Sequence, residues 1–127
     1  MPGALALKDG FSIAVDEATG RIVVMGRGFW TPAATTEHFR LLEDVVARVR
    51  AQRGTVRVLV DLRTAPVQST ETSEIIQQAT QRIYKPTDRL AIVRTSRLLD
   101  LQLKRAVDSN PIQTFATIDE AEAWLQA

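Results

Sequence analysis

The chain has 127 residues, 45% of them hydrophobic and 24% charged, the balance of one soluble globular domain and not of a disordered tract or a coiled coil. Sixteen Lys and Arg stand against 15 Asp and Glu, a formal net charge of +1, so there is no basic field to hold a nucleic acid. Cysteine is absent, which excludes disulfides, thiolate zinc sites, iron–sulfur clusters and a cysteine nucleophile, and fits a reducing, cytoplasmic setting.

Residues 1–10 read as a loose leader. They lack the basic start and long apolar core of a signal peptide, and no stretch of the chain reaches the roughly 18 apolar residues of a membrane span. Residues 11–127 form the domain. Phe11-Ser12-Ile13-Ala14-Val15 alternates as a strand does. Asp16 to Gly20 is a turn, and the β-branched run Arg21-Ile22-Val23-Val24-Met25 returns from it, giving a hairpin. The pattern breaks at Gly26-Arg27-Gly28-Phe29-Trp30.

Thr31-Pro32 opens the first helix, threonine as cap and proline at the first helical position. His38, Phe39, Leu42, Val45, Val46 and Val49 share one face of it, and Gly54 closes it. Val56-Arg57-Val58-Leu59-Val60 is the strongest strand and is expected to stop at Asp61. After an aperiodic loop, Ser69 or Thr70 caps a second helix with Glu71 and Glu74 near its positive end and Ile75, Ile76, Ala79 and Ile83 as its apolar stripe. Lys85-Pro86 stops it. Leu90 to Val93 is a short buried strand, Ser96 caps a third helix running to about Asp108, Ile112 to Phe115 is the last strand, and Thr117 caps a final helix whose inner face is Ile118, Ala121, Trp124 and Leu125.

The order β-β-α-β-α-β-α-β-α predicts a single α/β domain: a mostly parallel five-stranded sheet, an antiparallel strand from the N-terminal hairpin, and four helices. Strand order is not written in the sequence, so whether helices cover one face or both stays open.

Candidate functional residues follow from that layout. Arg27, Arg63, Arg94 and Arg97 fall just past strand ends, on the edge where capped helices begin, so they form a candidate anion or ligand edge with Asp61 and Trp30. Asp61 has a second reading, a carboxylate that caps its own loop. Of the paired aromatics Phe29 and Trp30, one ring is expected to pack on the first helix and the other to line a pocket or a protein contact. His38 is the only histidine; it reads as a packing residue on an apolar arc, with a catalytic base as the lesser alternative. Leu98 and Leu101 lie off the inward stripe of Leu99, Leu103, Ala106 and Val107 on the third helix, which predicts a second contact there, with a neighbouring helix or across a homodimer.

The element order over residues 11–126, the strand-acid-loop-helix stretch Val58-Leu59-Val60-Asp61-Leu62 to Ser69-Thr70-Glu71, and the closing helix Phe115-Ala116-Thr117-Ile118-Asp119-Glu120-Ala121-Glu122-Ala123-Trp124-Leu125 together resemble the SpoIIAA-like or STAS-like domains. The last stretch is similar to the F-x-(D/S)-x-E-E-A-x-x-W-L ending of uncharacterised STAS-like proteins. The resemblance implies a regulatory, protein-interacting domain with no catalytic activity and no cofactor. Through a comparison with SEC14-type lipid-binding domains it also implies a small apolar ligand, so that, with the arginine edge, the alternative is a binder of a small lipophilic or anionic ligand at the carboxyl edge of the sheet. Classical members carry a D-S-S-G-like stretch with a phosphorylated serine at the start of the second helix. The corresponding Ser69-Thr70-Glu71-Thr72 lacks the glycine and has Glu71 at the second serine.

Overall fold

The computed structural model describes residues 10–65, 68–95 and 112–127. In chain order these form β1 (Gly10–Val15), β2 (Ile22–Arg27), α1 (Pro32–Arg53), β3 (Arg57–Thr64), α2 (Thr70–Ile83), β4 (Arg89–Val93), β5 (Ile112–Phe115) and α3 (Ile118–Gln126). The expected helix from Ser96 to Asp108 lies outside the described residues, so three of the four expected helices are described.

The helices begin where their caps demand. Thr31 accepts a hydrogen bond from the amide of Ala34, Ser69 from that of Thr72 and Thr117 from that of Glu120. At the other end of α1, Gly54 adopts φ 87° and donates to the Arg50 carbonyl, a left-handed stop that a side chain would resist.

The five strands lie in sequence order, β1-β2-β3-β4-β5, with β1 antiparallel to β2 and every later pair parallel. Both β2–α1–β3 and β3–α2–β4 step the same way across the sheet, and right-handed crossovers then put α1 and α2 on one face. Alternate residues of the strands divide accordingly. Val58, Leu62, Leu90 and Ile92 join Phe39, Leu42, Val46 and Val49 of α1 and Ala79 and Ile83 of α2 in the larger core. Leu59, Ala91 and Val93 point to the opposite face, against Ala121 and Leu125 of α3. The domain is therefore three layers, α/β/α.

Two strands run further than their sequence suggests. β2 continues through Gly26 and Arg27, with a register shift against β3 between Met25 and Arg27. β3 does not stop at Asp61 but carries on to Thr64. The first extension needs Gly26: a Cβ there would lie 2.6 Å from Cζ2 of Trp30 and 2.9 Å from Cδ2 of Leu62. The indole packs where only hydrogen fits.

The amino end of the sheet is tied by a buried carboxylate. Asp88 is buried, forms an ion pair with Arg50 at the end of α1, and accepts hydrogen bonds from the amides of Val56 (3.0 Å) and Lys85 (2.8 Å). One side chain thus joins α1, the start of β3 and the turn before β4. Arg57 and Arg89 donate to the last carbonyls of α3, Leu125 and Trp124, where cations complement the helix dipole. The Arg89 guanidinium also lies 5.2 Å from the centroid of the Trp124 ring. Removing Asp88 leaves the Arg50 guanidinium with only the Ile83 carbonyl (3.3 Å) and the buried Val56 amide without its acceptor. Asp88→Ala is expected to lower unfolding free energy by about 3–5 kcal/mol in urea at neutral pH. Glu43→Ala, which breaks the exposed pair with Arg82, should cost under about 1 kcal/mol.

Candidate functional site

The parallel strands end together on one edge, and the loops that leave them meet there. The β2–α1 loop is fixed by the residues that open α2. The amide of Trp30 donates to Oε1 of Gln68 (2.9 Å), while Nε2 of Gln68 donates to the Gly28 carbonyl (2.9 Å). Oγ1 of Thr72 donates to the Trp30 carbonyl (3.1 Å), and Nε1 of Trp30 turns back to the Arg27 carbonyl (2.8 Å). Gln68 and Thr72 are both buried. Every polar group of Trp30 is thus satisfied, which lets the residue lie in the core.

The loop consequently divides its two aromatics. Trp30 is buried, its ring 4.3 Å from that of Phe11. Phe29, one residue earlier, is 63% exposed. An aromatic ring held out on a loop whose neighbours are bonded in place is a contact residue in waiting.

Beneath the loop lies an aromatic cluster. His38 stacks on Phe11 with centroids 3.9 Å apart and planes at 10°, and meets Phe39 edge-on at 4.8 Å. Burial lowers the His38 pKa from 6.5 to about 4, so the imidazole is neutral at pH 7. Phe11, Trp30 and His38 border an apolar cavity of about 60 Å³ that reaches Tyr84, Ile92 and Ile112. That volume is well below the roughly 150 Å³ that admits a benzene. Burial also pushes the Tyr84 hydroxyl far above its ordinary range. His38 and Tyr84 are packing groups in this setting.

Asp61 and Arg63 stand two residues apart on β3, on the face of Leu59, and meet in a two-point contact: Nε to Oδ1 at 3.0 Å and Nη2 to Oδ2 at 2.9 Å. The Arg63 amide also donates to Oδ1 at 3.1 Å, the capping geometry that the sequence offers as one reading of Asp61. The Arg63 guanidinium, with Arg27 as a further positive charge, holds the Asp61 carboxyl below its usual range. Arg27, Asp61 and Arg63 therefore come together, and the carboxylate already compensates the cations. Arg94 donates its amide to the Phe115 carbonyl (3.1 Å), and Thr95 donates to the Arg63 carbonyl (3.4 Å). Arg97, Leu98 and Leu101 lie outside the described residues.

Ser69 is the N-cap of α2, with Thr70 and Glu71 exposed on its first turn. Gln68, beside them, has no periodic or capping signature in the sequence; its role exists only because two loops distant in the chain meet. Among the described residues there is no group of three or more His, Cys, Asp and Glu placed to hold a metal ion, and no helix is long and apolar enough to cross a membrane.

No protein-family model and no curated protein matches the chain. Solved structures do. An uncharacterized protein of the DUF3478 family with a SpoIIAA-like fold, from Shewanella loihica PV-4, is 18% identical and aligns over 93% of this chain and 95% of its own with a TM-score of 0.65. An anti-sigma factor antagonist from Mycobacterium paratuberculosis is 17% identical over 94% and 97%, with a TM-score of 0.55. The chain has a SpoIIAA-like fold.

The buried His38 gives a pH dependence with a definite sign. The unfolded imidazole takes a proton near pH 6.5 and the folded one only near 4, so the unfolded state binds more protons between them. Stability is full above pH 6.5 and is lost as pH falls toward 4. Between pH 7 and 4.5 the loss from this group is about 2 kcal/mol. Urea titrations at both pH values are expected to show that much less acid loss in His38→Phe than in the unsubstituted chain.

Proposed function

We propose that the chain is a non-catalytic regulatory domain of STAS type, cytoplasmic and homodimeric, which binds a protein partner on the carboxyl edge of its sheet. The observation that carries this reading is the Gly28–Trp30 loop, bonded down by Gln68 and Thr72 while Phe29 projects beside the start of α2. An aromatic anchor without conformational freedom suits protein contact. The likeness of fold to an anti-sigma factor antagonist supports the same class of function.

The chemistry of the edge agrees. His38 is buried in a ring stack between Phe11 and Phe39. Arg63 is occupied by Asp61. Ser69 spends its hydroxyl on capping α2, and Glu71 supplies a fixed carboxylate where the resemblance leads one to expect a phosphorylated serine. In this reading Ser69, Thr70 and Glu71 at the start of α2 supply the polar rim nearest Phe29, and Arg27, Asp61 and Arg63 extend the contact along the same carboxyl edge.

A photo-crosslinking phenylalanine analogue at position 29, in the protein's own host cells, is expected to give one adduct with a second protein of defined mass. The same probe at Gln78, on the exposed side of α2, should give none. The purified partner should bind Glu71→Lys at least about tenfold more weakly. Equal adducts from both positions, or binding indifferent to Glu71, would remove the reading.

A further inference from the structure

β1 is an edge strand among the described residues, and within Gly10–Val15 it has none of the charges, prolines or bulges that keep edges apart. Gly10–Val15 reads GFSIAV, with no charge, no proline and no register shift against β2. The Asp16 amide donates to the Arg21 carbonyl, which fixes Asp16 and Arg21 as a hydrogen-bonded pair. Alternation along the antiparallel register then makes Ala14–Val23 and Ser12–Met25 the next such pairs. The backbone groups of Phe11, Ile13 and Val15 accordingly point to the open side of the strand, where no described residue pairs with them.

Those same residues have their side chains on the α1 face, and an apolar groove runs between them and Leu41 and Val45 of α1. Leu41 is 46% exposed, more than Val45 beside it. Glu37 and Arg48 stand toward opposite ends of the helix wall with Asp44 between them, and Glu37 is also paired with Arg40 on its own helix (2.6 Å). Helix and strand run the same way: His38 stacks on Phe11 near the start, and Nη2 of Arg53 donates to the Glu17 carbonyl past the end.

We infer that β1 and its groove are the homodimer interface, a second copy adding its own β1 antiparallel about a two-fold axis at Ile13. The inference rests on the homodimeric part of the function proposed above and gives it a surface. Placing Ile13 opposite the partner subunit's Ile13 sets Phe11 opposite the partner subunit's Val15. All outward backbone groups then pair, about six hydrogen bonds, and the apolar side chains meet on one face. The axis also reverses one α1 against the other. Leu41 then comes beside the partner subunit's Val45, and Glu37 faces the partner subunit's Arg48. The surface is complementary to itself in backbone pairing, and Arg48 adds a second cation to the Glu37–Arg40 pair of the other copy, as a two-fold contact allows.

Sedimentation velocity of the full chain tests this. The unsubstituted protein is expected to be a dimer. Leu41→Glu, at a side chain already half in solvent, should weaken dimerisation at least about tenfold with an unchanged far-ultraviolet circular dichroism spectrum. Val15→Pro removes an amide that points out of the sheet, so the fold should survive and the dimer should not. Glu37→Arg alone should weaken the dimer, and Glu37→Arg with Arg48→Glu should restore it. A monomeric starting protein overturns the inference, as does a dimer indifferent to Leu41→Glu and to the charge reversal. A dimer that behaves as stated while position 29 gives no adduct would leave this interface standing and remove the regulatory reading.

Discussion

The indole of Trp30 lies over Gly26, and much of the carboxyl edge depends on that one contact. With hydrogen alone at position 26, the ring sits flat enough on β2 to reach Leu62 and Phe11. Its amide and carbonyl then fall within reach of Gln68 and Thr72, which ties the start of α1 to the start of α2. The preceding residue has nowhere to go but outward, so the exposure of Phe29 is a consequence of the burial of Trp30. A larger residue at position 26 would lift the indole, open the buried amides to an unsatisfied state and release the loop.

The two ends of the sheet are built differently. At the amino end, Asp88 gathers a guanidinium and two amides, and Arg57 and Arg89 close the last turn of α3. These are buried or partly buried contacts that hold layers together. At the carboxyl end, contacts run between loops, and charged side chains are half in water, as with Arg63. Open α/β sheets usually bind small ligands in the crevice where strand order reverses. Here the strands follow chain order without reversal, so the described sheet has no crevice of that origin. The hollow at its carboxyl edge lies instead past the ends of β4 and β5, lined by Arg94, Thr95, Phe115 and Glu120.

Local signals were legible and distant ones were not. Thr31-Pro32, Ser69, Thr117 and Gly54 act as the sequence predicts, because a cap needs only its own next turn. The faces of α1 and α3 follow from periodicity for the same reason. Gly26 and Asp61 read as breaks, yet both lie inside strands. Gly26 is there for a ring four residues later, and Asp61 for an arginine two residues on, and neither partner enters strand propensity. Covering both faces of the sheet depends on strand order, which pattern alone does not contain. Gln68 and Asp88 look like ordinary loop residues; what distinguishes them is contact with positions 30 and 56, far away in the chain. The sequence singles out an arginine edge for anions, but the cations it counts include one already neutralised by its neighbour on the same strand.

The edge of β1 and the edge of the loops share one set of rings. Phe11 belongs to β1, Trp30 to the loop that holds Phe29, and His38 to the helix that walls the groove, and the Phe11 ring touches both of the others. Stacked rings at separations near 4 Å move little without losing contact energy. A change in the setting of β1 is therefore felt at Trp30, and a change in the loop at Phe11. The neutral state of His38 is part of this arrangement, because a charged imidazole in the same stack would have to find water. Two surfaces that differ in direction and in chemistry are in this way built on a single buried cluster.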